Sequence, residues 1–127
     1  MDILDSDILV AFLRGQENAV HKVNQISQES VGTTSLNVHE VIRGAWWHSN
    51  REVDDALMLF QRIRILLYTF FDSQMSGELF ASLVRKGPEV DDFDVIIAAI
   101  ALNHNAVVVP NNKKHFERIP GLSVEGF

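Results

Sequence analysis

The segment from residue 91 to residue 112, DDFDVIIAAIALNHNAVVVPNN, limits the possible folds more than any other part of the sequence. It predicts a turn, a very apolar helix from about Asp94, a short link rich in asparagine, and a buried strand over Ala106–Val109. A strand that lacks polar alternation is typical of a parallel sheet covered by helices on both faces. The segment therefore predicts an α/β domain.

Short apolar or β-branched runs predict three further strands, at residues 1–4, 31–34 and 63–69. Apolar residues at helical spacing predict the helices between them, after residue 6 or 7, from about 19 to about 29, from 35, over 51–62, and from 72 to the Gly-Pro pair at 87–88. We expect Ser6 or Asp7, Ser35 and Asp72 to cap three of these helices. Strands that alternate with helices favour a parallel sheet whose site lies at the carboxyl ends of the strands.

Length and composition narrow the class of protein further. With 127 residues, the chain is expected to form one domain over residues 1–127. It has no cysteine, its opening residues are acidic where a signal peptide is basic, and its apolar runs are shorter than the roughly 18 residues of a membrane span. We therefore expect a cytoplasmic protein without a membrane segment. The net charge of −6 argues against a broad basic face for nucleic acid, but it suits acids that converge on a divalent cation.

Several polar side chains are expected at one edge of the predicted sheet. Asp5 ends the first strand, Asp94 begins the apolar helix, and Asn111-Asn112 follows the strand over Ala106–Val109. Glu40 projects from the helix after the second strand. Each residue also has a structural explanation, because Asp5 and Asp94 suit helix caps and Glu40 suits a solvated helix face. Composition and spacing leave both alternatives open.

Four segments resemble, in order, the signature segments of the VapC-type PIN-domain ribonuclease toxins of toxin–antitoxin pairs. They are ILDSDILVAFLRG, TTSLNVHEVIRGA, VDDFDVIIAAIALNHNAVVV and NNKKHFERIPGLSVEGF. The resemblance, from the first segment to the last, extends over nearly the whole chain. The resemblance implies a three-layer α/β/α domain with a central parallel sheet that binds Mg²⁺ or Mn²⁺ and hydrolyses phosphodiester bonds of single-stranded or loop RNA. It also implies a cognate antitoxin partner and a homodimer.

The resemblance also assigns roles to residues of this chain. It implies Asp5, Glu40 and Asp94 as catalytic residues and metal ligands, with Asp92 as a further metal ligand. Secondary site residues are Ser6, Asn111 and Asn112. Lys113, Lys114 and Arg118 are substrate-binding candidates because their positive charge attracts phosphate, and an ordinary solvated basic patch is an equal alternative. The adjacent Trp46 and Trp47 are candidates for base stacking, although aromatic residues at such a place more often build a core or a dimer face.

The last motif departs from the family pattern. Many relatives have a threonine and an acid where this chain has Pro110 and Asn112. An alternative is therefore a catalytically impaired PIN domain that acts as a binding or regulatory module. A phosphoacceptor receiver domain fits poorly, because Tyr68-Thr69-Phe70 ends the third strand candidate where a receiver needs an aspartate.

Overall fold

The computed structural model describes residues 1–87, 89–110 and 112–126. Strands and helices alternate along most of these residues, as expected for an α/β domain. The strands are β1 Asp2–Leu4, β2 Val31–Thr34, β3 Arg64–Leu66, β4 Val107–Val109 and β5 Ser123–Val124. The helices are α1 Ser6–Leu13, α2 Glu17–Gln25, α3 Ser35–His48, α4 Asn50–Phe60, α5 Phe70–Lys86 and α6 Asp92–Asn103, and a 3₁₀ turn spans Lys113–His115.

All five strands form one parallel sheet in the order β3-β2-β1-β4-β5. β1 lies in the centre, where Ile3 pairs with Gly32 on one side and with Val108 on the other. Gly32 is required by the close approach of β3, since a Cβ atom there would lie 2.8 Å from the Arg64 carbonyl oxygen. The parallel order places the carboxyl ends of β1, β2 and β4 side by side.

Two apolar cores lie on opposite faces of the sheet, which confirms the three-layer architecture. Ile3 and Val108 point into the core shared with α5 and α6. Leu4 and Val109, the next residue of each strand, point into the core shared with α1, α2 and α4. Successive residues of a strand point to opposite faces of the sheet, and each face of β4 is covered by an apolar core. For this reason β4 has no polar position.

The first helices follow the sequence prediction with two differences. Gly15 leaves α1 in the left-handed region at φ +74°, as predicted for a helix exit. The N-cap position of α1 belongs to Asp5 and not to Ser6 or Asp7, and the Asp5 side chain makes no capping hydrogen bond. α2 ends at Gln25, four residues before the predicted end near residue 29.

The predicted caps of α3 and α5 were wrong by one and three residues. Thr34 caps α3 by accepting a hydrogen bond from the Asn37 amide at 3.3 Å, and Ser35 is already helical. Thr69 caps α5 in the same way through the amide of Asp72 at 3.2 Å. In both cases the cap is extended backbone at the end of a strand or link, from which a threonine hydroxyl reaches the third helical amide.

The third strand and the end of the chain differ from the sequence prediction as well. β3 covers three residues and not the predicted seven, because only a short link separates it from the start of α5. β5 was not predicted, since two residues are too few for a periodic signal. In the described part of the chain, no helix combines the length and apolar character that crossing a bilayer requires.

Candidate active site

Asp5 lies at the carboxyl end of the central strand, where its backbone amide donates to the Val109 carbonyl at 3.1 Å. This bond fastens the residue after β1 to the last residue of β4. The Asp5 side chain is only 5% exposed. Because it makes no capping bond to α1, the structural explanation as a helix cap does not account for its burial.

The Asp5 carboxylate is held by Asn37, a residue to which the sequence patterns assigned no role. The Asn37 side-chain nitrogen donates to Asp5 Oδ1 at 3.0 Å and to Ser6 Oγ at 2.9 Å. Its oxygen accepts a hydrogen bond from the Thr34 hydroxyl at 2.7 Å, so both ends of the amide are engaged. The Thr-x-x-Asn spacing of a capping box is the one signal in the sequence that could have drawn attention to Asn37.

Glu40 joins this network through Ser6. The Ser6 hydroxyl donates to Glu40 Oε1 at 2.9 Å across 34 positions of the chain. Asn37 and Glu40 are three residues apart and therefore share one face of α3. The second strand, its helix and the end of the first strand thus bring Asp5, Ser6 and Glu40 together.

Asp94 lies in the first turn of α6, next to the carboxyl end of β4 in the fold. The helix begins at Asp92, two residues earlier than predicted, and its N-cap is Asp91, which accepts from the Asp94 amide at 3.2 Å. The Asp94 side chain is therefore not the cap of this helix. It is partly buried and lines a cavity on the outer side of the site.

The negative charges of neighbouring acids contribute to raised pKa values at two of these residues, Asp5 and Asp94. Burial, with the negative charges of Asp7 and Glu40, raises the pKa of Asp5 to about 6, against the lowering effect of hydrogen bonds from the Ser6 amide and Asn37. Burial and then the charges of Asp91, Asp5 and Glu40 raise the pKa of Asp94 to about 7, and His115 opposes that rise. Asp5 directly after β1, Glu40 of α3 and Asp94 of α6 thus form one cluster of acids.

The donor set of this cluster suits a hard cation, although the acids are spread out. Carboxylate, hydroxyl and amide oxygens are the ligands that Mg²⁺ and Mn²⁺ take, and Mg²⁺ usually keeps several waters beside one or two carboxylates. Across residues 1–87, 89–110 and 112–126, no three histidine or acidic side chains converge closely enough to hold one ion among them. A cation here would therefore contact few acids directly and others through water.

The remaining predicted ligands lie elsewhere or are engaged. Asp92 is exposed and lines a separate cavity between α5 and α6, together with Tyr68 and Phe80. Asn112 is the N-cap of the 3₁₀ turn, and its side-chain oxygen accepts from the Lys114 amide at 3.1 Å. Asn111 lies outside the described residues. Pro110 is buried directly after β4.

Three basic residues follow the site, and their surroundings differ. Lys113 and Lys114 are exposed in the 3₁₀ turn. The Arg118 guanidinium instead donates to three backbone carbonyls, of Glu89 at 2.6 Å, Leu83 at 3.2 Å and Gly87 at 3.5 Å. It therefore ties the segment after β4 to the C-terminal end of α5.

The comparison with known families agrees with this geometry. The model of the PIN domain family matches residues 3–122, which include β2, β3 and β4 and every acid of the cluster. The chain belongs to the PIN-domain family. Within the match, the three acids stand where the fold brings β1, α3 and α6 together.

Individual relatives point to the VapC type of PIN domain. The chain is 29% identical over 125 residues to a tRNA(fMet)-specific endonuclease VapC of Shigella flexneri, covering 97% of this chain and 95% of the relative. It is 25% identical over 129 residues to ribonuclease VapC2 of Rickettsia felis, covering 98% and 96%. This PIN domain therefore resembles VapC proteins along nearly its full length.

Solved structures give the same result for the fold. VapBC2 of Rickettsia felis, bound to a DNA fragment from its promoter, superposes with a TM-score of 0.89 at 23% identity, covering 99% of this chain and 98% of that chain. DNA-bound VapBC of Salmonella typhimurium superposes with a TM-score of 0.88 at 27% identity, covering 98% and 96%. The predicted fold and family are thereby confirmed.

Proposed function

We propose that this PIN domain is a Mg²⁺- or Mn²⁺-dependent endoribonuclease that cuts single-stranded or loop RNA. The observation that carries the proposal is the cluster of Asp5, Glu40 and Asp94, three acids from separate elements at the carboxyl edge of a parallel sheet, where burial and their charges raise the pKa values of Asp5 and Asp94. Burying like charges together destabilises the fold, so a cluster of this kind is typical of a site that binds a cation or carries out catalysis. The names of the Shigella and Rickettsia relatives support RNA as the substrate.

Each residue has a separate task in this proposal. Asp5 and Asp94 hold the ion, which when bound supplies an activated water and charge stabilisation for the phosphodiester. Ser6 fixes Oε1 of Glu40, which leaves Oε2 to accept a hydrogen bond from the attacking water. Asn37 keeps the Asp5 carboxylate in one orientation. Hydrolysis would leave 5′-phosphate and 3′-hydroxyl ends.

The substrate approaches from the side of the 3₁₀ turn. Lys113 and Lys114 are exposed there and attract phosphate by charge. Arg118, the third predicted phosphate contact, has its guanidinium turned towards backbone carbonyls. Its main task is therefore to hold the fold around the site.

The same proposal includes protein partners, namely a cognate antitoxin and a second copy of the chain. The likeness to the VapBC structures supports these partners. A set of exposed apolar side chains supports them as well, and the exposure of the two tryptophans in this set excludes a core role for either of them. These side chains are Trp46 at 65%, Trp47 at 94%, Leu67 at 66%, Phe70 at 80% and Phe71 at 65% exposure. Exposed apolar surface on this scale is typical of a protein interface. Light scattering of the purified chain tests the homodimer, and co-purification with the product of a neighbouring reading frame tests the antitoxin.

The decisive experiment is cleavage of a single-stranded RNA and tRNA mixture with Mn²⁺ and with EDTA. We expect cleavage only with the metal, and its loss in Asp5→Asn and Asp94→Asn. Asp55→Asn, which changes an exposed acid of α4, is the matched control and should cleave normally. Equal cleavage by all four proteins would reject the assigned site.

The impaired-domain alternative has support of its own, because Pro110 and Asn112 replace the threonine and acid of the family pattern. Asn112 uses its side-chain oxygen to cap the 3₁₀ turn. Metal binding by calorimetry, without cleavage of any RNA, would favour this alternative over the ribonuclease.

A further inference from the structure

A cavity of about 490 Å³ opens beside the acidic cluster, between the α5–α6 connection and the 3₁₀ turn. Its floor is apolar and consists of the buried side chains of Leu83, Val95 and Ile119. Asp94 forms part of its wall. A ligand in this cavity therefore lies beside Asp94, the carboxylate to which the proposed function assigns the metal.

The charged lining of the cavity is mixed. Its acids are Glu89, Asp91 and Asp94, its cations are Lys114 and Arg118, and Lys114 and His115 are exposed. His115 is close enough to Asp94 to affect that carboxylate electrostatically. A ligand with a flat, weakly polar body and an attached phosphate matches this arrangement, because the body contacts the apolar floor while the phosphate lies between the cation site and Lys114.

We propose that this cavity receives one unstacked nucleobase of the RNA, belonging to a nucleotide next to the bond that is cut. The proposal rests on the ribonuclease function and adds a substrate subsite to it. Binding sites of about 300–1,000 Å³ are typical for small ligands, so the volume is ample for one nucleoside. Single-stranded RNA offers bases that can be turned out of the strand, and a histidine ring such as that of His115 is a common stacking partner for them.

The cavity is held open by contacts that do not depend on RNA. The Arg118 guanidinium donates hydrogen bonds to the carbonyl groups of Leu83, Gly87 and Glu89, and in this way it joins two sides of the cavity. Asp91 caps α6 and so fixes the turn that carries Asp94. A preformed cavity binds its ligand without the cost of ordering its walls.

Binding of a fluorescent single-stranded RNA, measured by anisotropy with Ca²⁺ in place of Mn²⁺, tests the subsite. The RNA is used intact and as a series in which each nucleotide in turn lacks its base. We expect one abasic position, next to the cut bond, to weaken binding about 10-fold. Val90→Trp, which places a large ring in the cavity, should weaken binding of intact RNA to the same extent and should remove the effect of the abasic position.

A control variant outside the cavity and a second variant inside it make the result independent of any single substitution. Val84→Trp is the matched control, because Val84 is an exposed residue of α5 outside the cavity lining, and it should bind like the parent. His115→Ala changes an exposed side chain and carries little risk to folding, so it replaces Val90→Trp should that protein not fold. It should reduce the abasic effect by severalfold.

The outcomes separate this subsite from the proposed function. If RNA is cut with Mn²⁺ but no abasic position weakens its binding, the subsite is overturned and the ribonuclease function stands. The same conclusion follows if an abasic position weakens binding to Val90→Trp as much as binding to the parent. Base-dependent binding without any cleavage supports the subsite and rejects the ribonuclease. Absence of RNA binding overturns both. Unchanged RNA binding by Val90→Trp, with weaker binding of a co-purified protein, overturns the subsite and assigns the cavity to that protein.

Discussion

The side-chain nitrogen of Asn37 donates a 3.0 Å hydrogen bond to Oδ1 of Asp5, joining the first helical turn after β2 to the residue that follows β1. Asn37 is fully buried, and its other contacts are with Ser6 and Thr34. One neutral residue therefore fixes the position of the central acid and also completes the capping box of α3. This double role makes Asn37 the natural first target for mutation.

We expect Asn37→Ala to lower the free energy of unfolding by about 3 kcal/mol, because it removes the side-chain amide that donates to the buried Asp5 carboxylate and accepts from the Thr34 hydroxyl. Urea denaturation measures the loss. Asn24→Ala is the control, since Asn24 is exposed on α2 and its change should stay within about 0.5 kcal/mol. Equal stability of the two variants would mean that water replaces the Asn37 amide without cost.

The raised pKa values of Asp5 and Asp94 predict how stability changes with pH. The folded protein binds these two protons more tightly than the unfolded chain does, since burial raises the pKa values from 3.8 to about 6 and about 7. Their contribution to the free energy of unfolding therefore falls as pH rises from about 4 to about 7. The parent should lose thermal stability over this range in EDTA, relative to the double variant Asp5→Asn/Asp94→Asn.

Two further measurements make this pH prediction specific. Mn²⁺ should raise the melting temperature of the parent at pH 7 and leave that of the double variant unchanged. Asp72 acts in the opposite direction. Burial raises its pKa, but hydrogen bonds from Asn103 and Thr69 outweigh burial and lower it, so the stability that Asp72 adds is lost only at acidic pH. If the melting temperatures of the parent and the double variant changed with pH in the same way, the raised pKa values of Asp5 and Asp94 would be contradicted.

Arg118→Ala should lower the free energy of unfolding by about 1–2 kcal/mol. The guanidinium donates to three carbonyls at and after the end of α5, and such charge-assisted bonds are worth more than neutral ones, although the exposure of Arg118 reduces the effect. Arg118→Lys should recover only part of the loss, since an ammonium group lacks the planar fork. Arg85→Ala, at an exposed position of α5, is the control, and a similar loss there would argue against a special role for Arg118.

Pro110→Thr should raise Mn²⁺ affinity or the rate of RNA cleavage. The substitution restores a hydroxyl and a backbone N–H directly after Val109, whose carbonyl already accepts from the Asp5 amide. Stability should change by no more than about 1 kcal/mol, the usual scale of a proline exchange. Calorimetric titration with Mn²⁺ and a cleavage assay with Asp5→Asn as the blank compare the two proteins. Equal metal binding and equal cleavage would make Pro110 a neutral variation.

Local periodicity in the sequence is enough to predict several helices and strands of this domain. The apolar run of α6 and the unbroken β-branched residues of β4 predicted a parallel sheet covered on both faces, and the structure confirms both. Gly15 predicted the exit of α1 for a similarly local reason, because a left-handed residue favours glycine. The positions of Asp5 and Asp94 at strand and helix ends likewise follow from the order of elements in the chain.

How residues that are distant in the sequence meet depends on the packing of the elements against one another. The contact of Ser6 with Glu40, like that of Asn37 with Asp5, joins residues more than 30 positions apart, and no periodicity in the sequence encodes such a distance. The same holds for Arg118, which looked like a phosphate contact by its charge and is turned towards the carbonyls of α5 by packing. Side-chain partners across a sheet depend on strand order and burial, which arise only when the helices close over both faces.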